Sequence, residues 1–144
     1  MYAEQLSNLF SKLTIGNKTL NKELFVTNLK HFEELLLGVD TNQVDLIVLP
    51  EMFHTGFTMS AEALAEEMNN SIGIKWLQSM AKNKNAGIYT SLIIKEDHSF
   101  FNRGVFVYPS GEIKTYDKKS EDLYIQNNTM HLINVKLVYL RTRF

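Results

Sequence analysis

Residues 44–57 read VDLIVLPEMFHTGF, and the first part of this stretch predicts a β-strand that is buried on both faces. Residues 44–49 form a short, β-branched and almost wholly apolar run, which is typical of a strand inside a parallel sheet. Pro50 ends the strand because proline has no N–H to donate to a ladder. Glu51 is therefore expected at the carboxyl end of a buried strand, where layered α/β proteins commonly place their functional groups.

The segments around this strand alternate between helical and strand patterns. Apolar residues recur at helical spacing before it, and the segments after it carry two more helical patterns, one strand and a hairpin with a Pro-Ser-Gly turn at residues 109–111. Helices are predicted at residues 21–37, 61–69 and 72–83, and strands at residues 87–95, 101–108 and 112–116. This order indicates an α/β fold, with a mixed sheet flanked by helices.

The composition is that of a soluble globular protein that contains no cysteine. The chain has 144 residues, 44% of them hydrophobic and 22% charged, and a formal net charge of -1. The absence of cysteine excludes disulfides, thiolate-bound zinc and cysteine nucleophiles. The near-zero charge gives no basic field for nucleic acid, and no apolar run approaches the roughly 20 residues of a membrane helix. We expect a cytoplasmic protein that uses no cofactor and binds neither nucleic acid nor membrane.

Two motifs give the chain a family resemblance. Residues 45–57 strongly resemble the first signature of the nitrilase superfamily of carbon–nitrogen hydrolases, in particular its ω-amidase-like branch. Residues 116–119, YDKK, resemble the second signature, and Asn102-Arg103 before an apolar strand stands where the family has such an element. The resemblance implies the front half of a nitrilase-type α-β-β-α sandwich. It is best over residues 21–119, so we predict a partial hydrolase domain at 1–119 and a divergent tail at 120–144.

The resemblance also implies a reaction and its residues. In this family a cysteine thiolate attacks the carbon of a small amide or nitrile, a glutamate moves the protons, and a lysine stabilises the developing negative charge. By resemblance, Glu51 is the general base and Lys118 the oxyanion stabiliser, and the two are expected on the same side of the molecule. The nucleophile is absent. Phe57 and Asn102 are candidates for binding the amide substrate, although a core position is the simpler interpretation of Phe57 and Asn102 is equally a support for the active-site loop.

Two other polar residues have simpler interpretations. His54 lies within the first motif, but no two histidines share the spacing of a metal site, so we predict a loop or pocket-wall residue and no bound metal. Ser91 lies in a predicted strand without the Gly-x-Ser-x-Gly elbow of a nucleophilic serine, and we predict that it serves packing.

The sequence leaves two functions open. The first is an ω-amidase-like amidase, which without a thiol should not hydrolyse amides by the covalent route. The second is a non-catalytic remnant that binds a ligand or a partner, with a homo-oligomer as one outcome, since family members usually pair sheets across a dimer interface. Departures from the family at both ends are consistent with truncation or a change of reading frame. Residues 132–140 alternate loosely and fit either a strand at the sheet edge or a disordered or foreign tail.

Overall fold

The computed structural model describes residues 18–56, 61–118 and 138–140, which form helices around one mixed sheet. In chain order, these residues form helix α1 (Lys18–Leu36), strand β1 (Leu46–Val48), helix α2 (Ala61–Leu64), strand β2 (Glu66–Glu67), a 3₁₀ turn (Met68–Asn70), helix α3 (Ile72–Lys84), and strands β3 (Gly87–Glu96), β4 (Ser99–Val107), β5 (Ile113–Asp117) and β6 (Val138–Leu140). The predicted α/β class, with a mixed sheet and flanking helices, is confirmed.

The sheet is organised around its longest strand, β3. The strand order is β5-β4-β3-β1-β6, and β2 also pairs with β3. Strand β4 lies antiparallel along one edge of β3. The other edge is shared, because β1 pairs in parallel with the beginning of β3 and β2 pairs in parallel with its end. The chain that follows β1 therefore leaves the sheet through a gap between two strands.

The last described strand resolves one alternative left open by the sequence. Residues Val138–Leu140 pair antiparallel with β1, with Tyr139 opposite Ile47. These three residues therefore form a strand beside β1, as the first of the two alternatives for residues 132–140 predicted. The remainder of the predicted tail lies outside the described residues.

The main core lies between the sheet and the two long helices. Ile47, Ile88 and Val105 are completely buried on the helix side of three adjacent strands, and α3 covers them with Leu77 and other apolar residues. Burying a side chain of this size contributes about 1.5 to 3 kcal/mol each, so this layer dominates the stability of the fold.

Helix α3 has clear signals at both ends. The Ser71 hydroxyl accepts a hydrogen bond from the Ile74 N–H and caps the first turn. Asn85 ends the helix in the left-handed conformation, with its N–H bonded to the carbonyl oxygens of Ala81 and Lys82. The helix predicted at 72–83 is thus present and one residue longer.

The helix predicted at residues 61–69 is wrong beyond residue 64. Helix α2 ends at Leu64, and Glu66 and Glu67 are extended beside β3, opposite Ile94 and Lys95. Residues 61–69 carry several good helix formers, but helix propensity is a weak preference. Here it is overcome by pairing with β3 and by the hydrogen bonds that the Glu66 carboxylate makes to the start of α3.

The face of the sheet opposite the main core carries exposed aromatic side chains. Tyr89 on β3 is 44% exposed and Tyr116 on β5 is 61% exposed. The register places Tyr89 opposite Phe106 and Tyr116 opposite Gly104, so all four residues share this face. The Tyr89 ring lies next to Gly104, where a Cβ would stand 3.4 Å from the Tyr89 hydroxyl oxygen, an ordinary contact distance.

Candidate active site

Glu51, Asn102 and Lys118 form one hydrogen-bonded cluster. The Lys118 ammonium nitrogen lies 2.6 Å from Glu51 Oε1, and the Asn102 side-chain amide donates to the same oxygen. The Lys118 N–H also donates to the Asn102 carbonyl oxygen at 3.0 Å. Two loop residues and one residue of β4 are therefore held together, and Glu51 and Lys118 lie on the same side of the molecule as expected.

The cluster is largely shielded from water. The side chains of Lys118 and Glu51 are 17% and 18% exposed, and Asn102 is 5% exposed. A charge pair at this depth is screened less by solvent than a pair on the surface. The Asn102 Oδ1 atom is buried and has no hydrogen-bond partner among the residues that the structure describes. The substrate-binding role of Asn102 stays a prediction, and Phe57, the other candidate, lies outside the described residues.

The loop that carries Glu51 is held by hydroxyl groups of β3. The Thr90 hydroxyl donates to the Pro50 carbonyl oxygen at 2.6 Å, and the Ser91 hydroxyl accepts from the Met52 N–H at 3.1 Å. These two side-chain hydrogen bonds hold the loop at the point where Pro50 interrupts the backbone hydrogen bonding between β1 and β3. Met52 itself has a φ of 52°, in the left-handed region that bulky residues rarely adopt. The tight turn after Glu51 is thus imposed by its surroundings.

Lys118 is positioned by the pairing of β4 with β5. The Arg103 guanidinium donates through Nε and a terminal nitrogen to the two oxygens of Asp117, at 2.5 and 2.9 Å, and also contacts Glu96 at 2.8 Å. The hydrogen bond to Asp117, helped by Glu96, raises the pKa of Arg103 although burial opposes it. This two-pronged contact fixes Asp117 at the end of β5, immediately before Lys118.

A second polar pair, which the sequence motifs did not reveal, lies behind the Glu51 loop. His54 is completely buried, and its Nε2 atom lies 2.7 Å from Glu66 Oε1. The same Glu66 oxygen accepts from the Ser71 hydroxyl at 2.8 Å, and the other accepts from the Ile72 N–H at 2.8 Å. An acidic residue shortly before a serine-capped helix was the one sequence signal for this arrangement.

The surroundings of Glu66 stabilise its charged form. Burial raises the pKa of the Glu66 carboxyl, but the hydrogen bond and charge of His54, together with the bonds from Ile72 and Ser71, outweigh it. The pKa of Glu66 therefore lies below its ordinary value. Within the described residues, no group of three or more His, Cys, Asp or Glu side chains is arranged to hold a metal ion.

An open cavity of about 650 Å³ lies at the turn between β3 and β4, and its lining includes Lys95, His98 and Arg103. Arg103 and Asn102 are neighbours in one strand, so their side chains point to opposite faces of the sheet. The cavity and the Glu51 cluster are therefore on different faces. We place the candidate site at the cluster, because the cluster brings the motif residues into contact.

Comparison with known proteins identifies the family of this chain. The family model described as carbon-nitrogen hydrolase matches residues 15–133. The chain belongs to the carbon–nitrogen hydrolase family. The match runs past Lys119, where the predicted partial domain ends, and the division at that residue stays a prediction.

The curated relatives are ω-amidases. The chain is 37% identical over 92 residues to the omega-amidase YafV of Escherichia coli strain K12, and 39% identical over 92 residues to that of Yersinia enterocolitica. Each alignment covers 64% of this chain and 34% of the relative. The chain thus spans about a third of the length of the relatives it matches. No helix in the described part of the chain has the length and hydropathy that a membrane crossing requires.

Solved structures support the same fold. XC1258 of Xanthomonas campestris, a CN-hydrolase superfamily protein with an arsenic adduct in its active site, matches with a TM-score of 0.63 at 29% identity, over 72% of this chain and 38% of that chain. An N-terminal amidase with a bound Asn-Glu-Ala peptide matches with a TM-score of 0.60 at 16% identity, over 66% of this chain and 25% of that chain, and shows the fold alone.

Proposed function

We propose that this chain carries the general base and the charge-stabilising lysine of an ω-amidase-like carbon–nitrogen hydrolase that acts on small amides. The observation that carries the proposal is the 2.6 Å contact between Lys118 Nζ and Glu51 Oε1. Residues from two motifs of one family meet there in a shielded position. A substrate carbonyl bound beside Lys118 would develop its negative charge next to a fixed cation.

The proposed roles follow from the proton transfers that the hydrolysis of an amide requires. Both donors of the cluster bond to Glu51 Oε1, so we assign proton transfer to Oε2. Glu51 would take the proton of the attacking thiol and pass it to the leaving ammonia. It would then take a proton from the water that cleaves the thioester and return it to the sulfur. Lys118 stays protonated throughout and stabilises the oxyanion of each tetrahedral intermediate.

The missing thiol limits what these 144 residues can do alone. No cysteine is present in the sequence, so no thioester can form on the chain itself. Loss of the nucleophile in a covalent mechanism costs several orders of magnitude in rate. We therefore expect the isolated chain to release no ammonia from ω-amides at an enzymatic rate.

A chimera tests the proposed roles. The segment of the E. coli ω-amidase that aligns with this chain is replaced by the corresponding residues of this chain, and ammonia release from small ω-amides is measured. The proposal expects an active chimera whose activity is abolished by Glu51→Gln and by Lys118→Met. Glu67→Gln, a change at an exposed carboxylate, is the matched control. A folded chimera without activity, or one that tolerates Glu51→Gln, would refute the proposed roles.

A non-catalytic binding module is the second candidate, favoured by the exposed aromatic face of the sheet. Tyr89 and Tyr116, 44% and 61% exposed, offer apolar surface of the kind that marks association sites. Light scattering coupled to size-exclusion chromatography would detect a homo-oligomer. Under this alternative, Tyr116→Lys shifts the chain to the monomer, while Lys114→Glu, on the same face at an exposed position, serves as the control.

A further inference from the structure

We infer that His54 and Glu66 form a buried pair that positions the loop carrying Glu51, which makes Glu66 a positioning residue for the candidate site. The inference rests on the proposed function for the role of Glu51. The contact that carries it is the 2.7 Å hydrogen bond between His54 Nε2 and Glu66 Oε1, in which neither side chain is freely exposed.

His54 is fixed at both its side chain and its backbone. It lies three residues after Glu51 in the same turn, and its ring is completely buried beside the rings of Phe25 and Phe53, at centroid distances of 4.9 and 5.3 Å. Its carbonyl oxygen accepts a 2.7 Å hydrogen bond from the Asn28 side chain in α1. A residue held in this way fixes the end of the turn that begins at Glu51.

Glu66 provides a rigid anchor for that ring. Its carboxylate accepts from the Ser71 hydroxyl and the Ile72 N–H, each at 2.8 Å, and its backbone pairs with β3 opposite Ile94. Glu66 is therefore attached to both the sheet and the start of the 13-residue helix α3. Through His54, the Glu51 loop is connected to these two elements.

Capping of α3 does not require the histidine. Ser71 already accepts from Ile74, and Glu66 already accepts from Ile72. An apolar ring would fill the space beside Phe25 at a lower desolvation cost than imidazole, whose Nδ1 atom finds no hydrogen-bond partner within residues 18–56, 61–118 and 138–140. We therefore assign the polar ring to its hydrogen bond with Glu66, which links the loop to that residue.

On the side that faces α3, the packing leaves the His54 ring no room for another position. A Cβ at Gly73 would stand 3.2 Å from the His54 ring and 2.5 Å from Leu92 Cδ2. The first turn of α3 thus approaches the ring closely only because position 73 has no side chain. The ring is confined between aromatic residues and the helix, and its orientation is set by Glu66.

The test uses His54→Phe, which keeps an aromatic ring but removes the bond to Glu66. Two readouts are followed by NMR: the side-chain amide signal of Asn102, assigned through Asn102→Ser, and hydrogen exchange at Thr55 and Gly56, whose N–H groups bond to the Met52 carbonyl. We expect the Asn102 signal to shift and exchange at these two residues to rise at least tenfold. Exchange at Ile74 should stay unchanged. His54→Gln, which keeps a donor for Glu66, should restore most of the wild-type behaviour.

Asn85→Ala is the matched control, because Asn85 caps the far end of α3 in the left-handed conformation and bonds to neither Glu66 nor His54. It should speed exchange at Ala86, whose N–H bonds to the Ala81 carbonyl, and leave the Asn102 signal unchanged. The inference is overturned if His54→Phe leaves Thr55, Gly56 and Asn102 as in the wild type, or if it loosens α3 as much as the loop. Global unfolding of both His54 variants would also overturn it, since the pair would then hold the core and not the loop. These readouts report geometry alone, so their failure leaves the chimera result on Glu51 untouched.

Discussion

Lys118 Nζ lies 2.6 Å from Glu51 Oε1, although the two residues are 67 positions apart and follow strands that are not neighbours. Strands β4 and β3 lie between β5 and β1 in the sheet. Three strand spacings amount to about 14 Å, which the two side chains could cross only if both were fully extended along the sheet, whereas side chains in a regular strand stand perpendicular to it. The contact forms because the Glu51 loop turns over β3, where Thr90 and Ser91 bond to it.

The ion pair should contribute measurably to stability. Lys118→Met leaves Glu51 largely buried, with the Asn102 amide as its remaining side-chain partner in the described part of the chain, and we expect it to lower the free energy of unfolding by about 1 to 3 kcal/mol. Urea unfolding at neutral pH measures the change. Lys114→Met is the control, because Lys114 pairs with Glu112 where both side chains are more than half exposed, and its loss should be far smaller. Equal losses in the two variants would contradict the shielded ion pair.

Gly73 should not tolerate a side chain. Alanine is favoured over glycine inside a helix by roughly 1 kcal/mol, but a Cβ at position 73 would stand 2.5 Å from the buried Leu92 side chain. We expect Gly73→Ala to lower stability by about 1 to 3 kcal/mol, because overpacking outweighs propensity. Thermal unfolding provides the measurement. At Gly38 a Cβ meets only the Leu35 carbonyl at 4.0 Å, so Gly38→Ala should be neutral or stabilising.

Glu66 should make the fold sensitive to acid. Its pKa in the folded protein lies below the ordinary value of 4.5, so the unfolded chain binds the proton first as the pH falls. The stabilisation is complete above pH 4.5 and is lost as the pH falls through the lower folded pKa. The difference in unfolding free energy between wild type and Glu66→Gln should therefore be largest near pH 6 and shrink below 4.5. A difference that is constant from pH 6 to pH 3 would contradict the assignment.

Asp117 should control the end of β5. Asp117→Asn weakens the contact with Arg103, which is partly exposed and therefore modest in energy. We expect amide exchange at Lys118, whose N–H bonds to the Asn102 carbonyl, to rise roughly five- to tenfold, equivalent to about 1 kcal/mol. Glu112→Gln on the same hairpin is the control. Unchanged exchange at Lys118 would show that the hairpin register alone holds this residue.

The parts of the fold that the sequence predicted well are those in which local pattern and tertiary environment agree. Strand β1 forms at Leu46–Val48 inside the predicted stretch 44–49, where it is paired on both edges and Ile47 is completely buried on the helix side. The burial predicted for both faces is wrong, because Leu46 and Val48 on the other face are only partly buried. The turn at 109–111 joins β4 to β5 as its Pro-Ser-Gly composition predicted, with Gly111 at a φ of 89°. The meeting of Glu51 with Lys118 could be expected only from the family motifs, since no spacing rule relates residues 67 positions apart.

The features that the sequence did not predict depend on contacts between distant segments. Glu66 lies in a stretch with helical propensity, and its extended conformation depends on β3, which follows later in the chain. His54 had no partner at any recognisable spacing, because Glu66 reaches it across the start of α3. The sequence allows Asn102 as a substrate contact or as a support for the loop. Its side chain bonds to Glu51, a contact that depends on how the two segments meet in the folded sheet.

The shortness of β1 has a consequence for the whole site. If three more residues joined its ladder with β3, Glu51 would become an ordinary sheet residue with its side chain fixed perpendicular to the strands, unable to reach across to Lys118. Pro50 prevents that extension because it cannot donate a ladder bond, and the Thr90 hydroxyl accommodates the carbonyl oxygen that is displaced. Pro50 thus interrupts the strand, and this interruption leaves the Glu51 carboxylate free to take part in chemistry.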